Sequence, residues 1–427
     1  MTEVDFASSF LQPDRAENDG GKSRQERTSR QSFANVEFML SWRSAEAGHT
    51  DIYLAQNLNL WRDWMPPEIE SWLVDKPVGV VDALKLLPGS LVPEADAREV
   101  FDVPSMRFNQ HYLKHKKVVP RTCRFYPKGF IAGVRDIYSE DFTPFRVAQA
   151  DDDKLTVDIG HPLAGCEATL AANILDIWAA GSERGGRAQD IPQLVAGHGP
   201  GMQARWRGLA TDFFSDDAFL RASNEEDTRF YARPRFVDHL DATALRQVRQ
   251  LYARLLPKGA SILDLMSSVN SHLDESLETA KVSGLGMNED ELAANPVLSS
   301  RIVHDLNTSP ELPYDDEAFD AVICTVSVEY LIRPLEVFDS VARVLKPGGI
   351  FVVSFSNRWF PPKAIQVWGD LHPFERMGMV LEYFLRTDKY RGLQTFSLTG
   401  LPRPADDKYA DRMQWSDPVY AVWGEKA

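Results

Sequence analysis

Leu312–Arg358 reads LPYDDEAFDAVICTVSVEYLIRPLEVFDSVARVLKPGGIFVVSFSNR. It holds two apolar runs, FDAVICTVS and IFVVSFS, separated by PLEVFDSVARVL and the punctuation Lys346-Pro347-Gly348-Gly349. Both runs are rich in β-branched and aromatic residues and read as strands. The stretch between them repeats apolar residues at helical spacing, opens with a proline suited to the first helical turn, and ends where Pro and Gly cannot continue a helix. Near-continuous apolar strands joined through a helix are parallel strands buried on both faces.

The same alternation extends outward from this unit. Upstream, ATALRQVRQLYARLL reads as a helix, SILDLM as a strand, LDESLETA as a helix, KVSGLGM as a strand, EDELAAN as a helix and IVHDL as a strand. Downstream, LQTFSLTG and DPVYAVWGEKA read as two further strands. Such a pattern builds a mostly parallel sheet covered by helices on both faces. Ligands of these sheets sit at the carboxyl ends of the strands, where the winding direction reverses.

The order and content of these pieces resemble class I S-adenosylmethionine (SAM) methyltransferases, type 11-like, over residues 230–427. Leu312–Arg358 carries the most specific likeness, with Asp320 opening the fourth strand and the KPGG turn entering the fifth. The resemblance implies an α/β Rossmann-like methyltransferase fold, a seven-stranded mixed sheet whose last two strands form an antiparallel hairpin at one edge. It also implies SAM as cofactor, with Asp264, Met266, Ser267 and Ser268 after the first strand, Met287 and Asn288 after the second, Asp305 and Leu306 after the third and Thr325 on the fourth around it. Met266, Ser268 and Asn270 stand where the family's turn has glycines, and Gly286 stands where it has a ribose-binding acid. LDLMSS resembles a group of methyltransferase-like bacterial sequences that carry this motif in place of the glycine loop. On this reading the hydroxyls of Ser267 and Ser268 meet the methionine carboxylate and Asn288 the ribose, while Asp305 accepts from the adenine amino group beside the Leu306 amide.

Methyl transfer depends chiefly on alignment of nucleophile, methyl and sulfonium. An acceptor that must lose a proton also needs a base within reach. Glu329 and Tyr330, near the end of the fourth strand, are the catalytic candidates, with Arg358 and Trp359 shaping the acceptor pocket. The segment FYARPRFVDHLD, residues 230–241, reads either as a lid whose Arg233, Arg235 and His239 meet a carboxylate or as a docking segment.

Residues 1–32 are polar and lack apolar periodicity, which reads as a disordered tail. Residues 33–180 carry short extended pieces, VEFMLSW, DIYLAQNL, VVDALKLL, FRVAQA, KLTVDI and TLAANILDI, and form a mostly β domain. Residues 181–229 read as a linker with a short helix. Within the β domain, Pro144–Ile177 resembles the end of FKBP-type prolyl isomerases of the SlyD kind, through His161-Pro162-Leu163-Ala164-Gly165. Pro66-Pro67-Glu68-Ile69-Glu70 and Gly79 resemble an earlier part of that family, which implies an inserted flap between them. Leu170, Gly160 and Pro67 replace the family's Phe, Asn and Gly, which favours a binding role, recruitment of a protein or peptide acceptor or completion of the acceptor site, over isomerisation.

Bulk properties bound the alternatives. A chain of 427 residues exceeds one ordinary core and fits two domains plus a tail. The net charge of −15 argues against nucleic acid as a partner, and the cluster Lys114, Lys116, Lys117, Arg121 and Arg124 reads as a solvated face. Cys123, Cys166 and Cys324 lie too far apart for a zinc or disulfide framework. His111 and His115 share a helical spacing without a third metal ligand nearby. With no apolar run of signal or membrane-span length, the expected location is the cytoplasm. Three functions fit: a SAM-dependent methyltransferase with an FKBP-like accessory domain acting on a protein or peptide, a non-catalytic scaffold built from both folds, and a peptidyl-prolyl isomerase with a methyltransferase-like appendage.

Overall fold

The computed structural model describes residues 10–11, 24–114, 116–179, 188–197, 199–215, 217–223, 225–278 and 281–427. His115, residue 180 and most of residues 1–23 lie outside them, as do residues 181–187, 198, 216 and 224 of the expected linker. The chain divides into two units, residues 1–212 with 398–400 and residues 213–397 with 401–427.

In the N-terminal unit the apolar pieces become antiparallel strands. β1 (Ser32–Arg43) pairs with β2 (Gly48–Asn59), and after α1 (Pro67–Leu73) comes β3 (Val81–Leu86). β4 (Val100–Pro104), β5 (Phe125–Pro127), β6 (Pro144–Ala150) and β7 (Lys154–Asp158) form a separate sheet in the order β4-β7-β6-β5. That small sheet has its own core, built on Phe108, Phe130, Phe145, Val147 and Val157. β8 (Ala168–Ala179) then returns to lie between β1 and β3.

Described residues of the expected tail and of the expected linker are packed into this unit. Within the expected tail, Phe10 and Leu11 are buried, their backbone amides donate to the Glu37 carboxylate at 2.9 and 3.1 Å, and Thr28 Oγ1 donates to the Leu73 carbonyl at 2.6 Å. Buried partners offset the backbone ordering cost of these described residues. Within the expected linker, α2 (Ile191–Ala196) places Ile191 and Val195 in the main core of this unit, with Asp190 capping its first turn.

The C-terminal unit follows the strand–helix alternation. After α3 (Asp227–Phe230), helix α4 (Ala242–Leu255) starts at the cap Asp241 and buries Leu245, Val248, Leu251 and Leu255 on one stripe. β9 (Ser261–Leu265), β10 (Lys281–Gly286), α5 (Glu289–Ala294), β11 (Ser300–Val303), β12 (Phe319–Thr325), α6 (Pro334–Val344) and β13 (Leu345–Phe355) come next. α7 (Gln366–Asp370), α8 (Pro373–Thr387), β14 (Tyr390–Thr399) and β15 (Val419–Lys426) complete it. Its strands lie in the order β11-β10-β9-β12-β13-β15-β14. β9 is parallel to both β10 and β12, and β15 is antiparallel to β13. LDESLETA does not form the expected helix: Glu275–Leu277 make a single 3₁₀ turn that Glu278 ends at φ 47°.

Asp320 explains how the sheet is pinned at the end opposite the strand carboxyl termini. One carboxylate oxygen accepts from the Ser261 amide at 2.9 Å and the other from Lys346 Nζ at 2.8 Å, so one side chain ties the starts of β9, β12 and β13. Asp320→Ala is expected to lower unfolding stability by about 1–3 kcal/mol, the cost of orphaning a charged hydrogen-bond set, read as a shifted urea midpoint.

Candidate functional site

The winding direction reverses at β9 and β12, and at their carboxyl ends a cavity of about 590 Å³ opens. That volume lies within the range of small-molecule sites. Asp264, Met266, Ser267, Ser268, Met287, Asn288, Asp305, Leu306 and Thr325 all line it, so the residues expected at a cofactor lie around one cavity. Tyr330, Arg358 and Trp359 line it as well.

The loop after β9 has an unusual support. Met266 takes φ 58°, the left-handed conformation a glycine would hold at no steric cost. Beneath it, Asp264 is fully buried and accepts from Ser267 Oγ at 2.5 Å and from Ser271 Oγ at 2.6 Å. Burial pushes the Asp264 carboxyl up to about 6, against the opposing pull of the two hydroxyls. Ser268 Oγ donates to Glu291 at 2.7 Å. The hydroxyls of Ser267 and Ser268 are therefore spent inside the protein rather than left for a ligand carboxylate, as the residue pattern had implied.

The second departure from the family pattern follows from the first. The Ser267 amide donates to the Leu285 carbonyl at 2.8 Å, which draws the loop over the end of β10. A Cβ at Gly286 would then meet the Ser267 carbonyl oxygen at 2.2 Å. No acidic side chain fits at position 286 while the loop keeps this path. The nearby acid that reaches the cavity is Glu291, in the first turn of α5, which sequence reasoning missed. Its signal was the spacing Asn288…Glu291, a helix-start pattern. Here Glu291 also accepts from the Arg235 amide at 2.7 Å.

Asn288 caps α5 by accepting from the Glu291 amide and donates to the carbonyls of Tyr231 and Ala232 at 2.9 and 3.2 Å. It thus tethers residues 231–240 along the cavity, where Tyr231, Arg235, Val237, Asp238, His239 and Leu240 form one side. Burial lowers the His239 imidazole below its ordinary value despite the opposing acids Glu291 and Asp238. At the end of this segment, Asp241 and Asp417 both approach Arg403, at 3.4 and 2.7 Å, with all three side chains almost fully buried. The loop between β14 and β15 held by this cluster supplies Lys408 and Tyr409 to the cavity.

Asp305 accepts from the amides of Asn307 and Thr308 and from Thr308 Oγ1, the last at 2.7 Å, so it shapes its own turn. A carboxylate has about four acceptor positions, which leaves one for a ligand donor. Asn307, also missed from sequence, donates to Asp227 at 2.8 Å and to the Tyr330 carbonyl at 3.0 Å, and accepts from the Ile332 amide. Asp227 is buried beside Arg221 and Lys363; burial would raise its carboxyl, but hydrogen bonds from Arg221, Asn307 and Lys363 hold it below the usual range. Val326, which also lines the cavity, sits at φ 50°, a strained conformation for a β-branched residue.

The two catalytic candidates separate. Tyr330 reaches the cavity, and its Oη accepts from the Phe360 amide at 2.8 Å. Burial raises its phenol well above the ordinary value, so it keeps its proton. Glu329 does not line the cavity. It is 1% exposed, and one of its carboxyl oxygens has no hydrogen-bond partner. Burial lifts its carboxyl to about 8, against the smaller pulls of its own amide and of Arg376. Alternation along a short turn put one of two neighbouring side chains inside, which a strand-end motif alone does not resolve.

Two outcomes are expected. Gly286→Asp, which restores the family's acid, should destabilise the protein by about 1–3 kcal/mol through overpacking against Ser267, visible as a lowered thermal midpoint. Glu329 is raised above its unfolded value, so its contribution is present at low pH and lost as pH rises through about 8. Glu329→Gln should therefore match the parent near pH 4, gain on it by about 1 kcal/mol per pH unit as pH rises from about 5 to about 8, and hold that advantage above it, measured by paired denaturation curves.

Residues 273–353 match the methyltransferase domain family. Among curated proteins, the chain is 28% identical over 134 residues to the methyltransferase GfsG of Streptomyces halstedii, covering 29% of this chain and 48% of that protein. It is 27% identical over 175 residues to the biotin biosynthesis bifunctional protein BioHC of Teredinibacter turnerae, covering 38% of this chain and 29% of that one. The chain thus spans about half or less of the length of these relatives. Among solved structures, an S-adenosylmethionine dependent methyltransferase from Mesorhizobium loti aligns at TM-score 0.29 and 17% identity, covering 41% of this chain and 96% of that one. Residues 273–353 are thus similar to a methyltransferase domain, and they lie in a unit built on a mostly parallel sheet wound outward from β9 and β12.

Proposed function

We propose that the C-terminal unit transfers a methyl group to an acceptor that enters beside Tyr330, Arg358 and Phe360, and that the N-terminal unit is an FKBP-like module that recruits a protein or peptide acceptor. The observation that carries the first half is the gathering of nine expected cofactor residues around one cavity at the switch point of the sheet. The residues there fit the cofactor: Leu285, Met287 and Leu306 offer apolar faces to an adenine ring beside the spare acceptor position of Asp305.

Bound S-adenosylmethionine supplies a methyl group activated on a sulfonium. The protein's part is to align the acceptor and to manage one proton. Tyr330 donates a hydrogen bond at the acceptor end of the cavity. His239 takes the place intended for Glu329: it lines the cavity and burial keeps its imidazole neutral at neutral pH, in the state that accepts a proton.

Support for the FKBP-like reading comes from the turn at His161–Gly165. His161 Nδ1 accepts from the Leu163 amide at 3.1 Å, the Ala164 amide donates to the His161 carbonyl at 2.8 Å, and Gly165 takes φ 82° before β8 begins. The small four-stranded sheet between β3 and β8 stands where the resemblance implies an inserted flap.

Calorimetry of S-adenosylhomocysteine against the full chain tests the cofactor site. Binding is expected, and Asp305→Ala should weaken it roughly 3- to 10-fold, the worth of one hydrogen bond. Absence of binding would favour the scaffold reading. With an acceptor in hand, His239→Gln should lower turnover by about 10²-fold or more, and the parent rate should fall only below the ordinary imidazole range, because the His239 pKa is depressed and the base must be neutral.

A further inference from the structure

Arg235 is a cation without an anion. It lines the cavity from the 231–240 segment, and among the described residues it forms no ion pair. Its guanidinium lies 4.8 Å from the Phe230 ring centroid, 5.3 Å from that of Phe360 and 5.7 Å from that of Tyr231. Three rings of this kind fix the plane of the fork without satisfying its donors. Nη2 donates to the Phe230 carbonyl at 3.3 Å, while Nη1 is buried and has no hydrogen-bond partner. A buried, charged donor left unpaired is costly, and the cost is relieved by an acceptor brought by a ligand.

The rest of the cavity sharpens the kind of ligand. The loop after β9 has no free hydroxyl at Ser267 or Ser268, since both donate to carboxylates of the protein. Other acids near this end are occupied: Asp227 by Arg221, Lys363 and Asn307, and Glu291 by Ser268 and the Arg235 amide. The other guanidinium lining the cavity, Arg358, lies 3.6 Å from the Asp417 carboxylate, so Arg235 is the planar, ring-held donor there without an ion pair among the described residues, and such a fork suits a carboxylate.

We propose that Arg235 is the carboxylate anchor of this cavity, and that a bound carboxylate secures the 231–240 segment across it. The inference rests on the methyltransferase reading of the site. The carboxylate comes either from the methionine half of the cofactor or from the acceptor. Because the Arg235 amide is already fixed to Glu291 and the segment to Asn288, a ligand held by the side chain joins two existing tethers to a third.

The test uses calorimetry on the full chain with S-adenosylhomocysteine, with 5′-methylthioadenosine, which lacks the carboxylate, and with benzoate added to protein loaded with S-adenosylhomocysteine. Arg235→Gln removes the charge, and Arg235→Met keeps the packing on the three rings; thermal melts confirm that both fold. If the carboxylate is the cofactor's, both variants lose roughly 10- to 100-fold in S-adenosylhomocysteine affinity and keep that for 5′-methylthioadenosine. If it is the acceptor's, S-adenosylhomocysteine binding is unchanged, whereas benzoate binds the loaded parent and not the variants. Equal losses for both nucleosides would mean a packing role and overturn the proposal, as would unchanged binding of all three probes. Failure of the parent to bind either nucleoside would instead fail the methyltransferase reading, and this inference with it.

Discussion

The site depends on one steric constraint, the passage of the Ser267 backbone over Gly286. Where a glycine-rich turn leaves room by omitting side chains from the loop, this chain omits the side chain from the strand beneath it. The loop can then carry Met266, Ser268 and Asn270, and its polar groups turn inward to Asp264 and Glu291. Two features that read in sequence as separate losses are one rearrangement of where the missing Cβ stands. The rearrangement leaves Met266 in a left-handed conformation and Asp264 as a buried acid under a pair of serines, so strain and charge are held under the loop rather than spread through the fold.

The opposite wall is held by electrostatics. Arg403 lies between Asp241, Asp407 and Asp417, with Ser416 donating to Asp241 at 2.9 Å. A buried charge cluster of this kind adds little net stability compared with an apolar core, yet breaking one member leaves the others uncompensated. Its effect is on position. Asp241 both caps α4 and ends the 231–240 segment, while Asp417 ends the loop that brings Lys408 and Tyr409 to the cavity, so one arginine sets two sides of the site at once.

Much of this was legible in the sequence because period and punctuation act locally. PLEVFDSVARVL and KPGG define α6 and the start of β13, and SILDL, KVSGLG and FDAVICT each become the strand their composition demands. The gathering of these residues around one cavity followed, since residues just past parallel strands must share one edge. What did not follow was partner choice. Ser267, Ser268 and Asn288 offer groups that suit a ligand equally well as a neighbour, and the neighbours are Asp264, Glu291 and Tyr231, distant or unremarkable in sequence. Asn307 and Glu291 act through contacts made only after folding. α8 went unread although its apolar residues keep a helical spacing, and folding buries even its charged Glu375, Arg376 and Glu382, which composition assigns to a solvent face.

The small sheet of the N-terminal unit carries a consequence for how such chains diversify. Its first and last strands, β4 and β7, are direct partners, with Val100 opposite Asp158, so the chain enters and leaves at nearly one point. With its own core around Phe145 and Val157, it hangs from the host sheet as a graft would. Insertions whose ends lie side by side are tolerated because the host need not stretch to admit them. An element joined this way can change in length or composition while β1, β2, β3 and β8 keep their register.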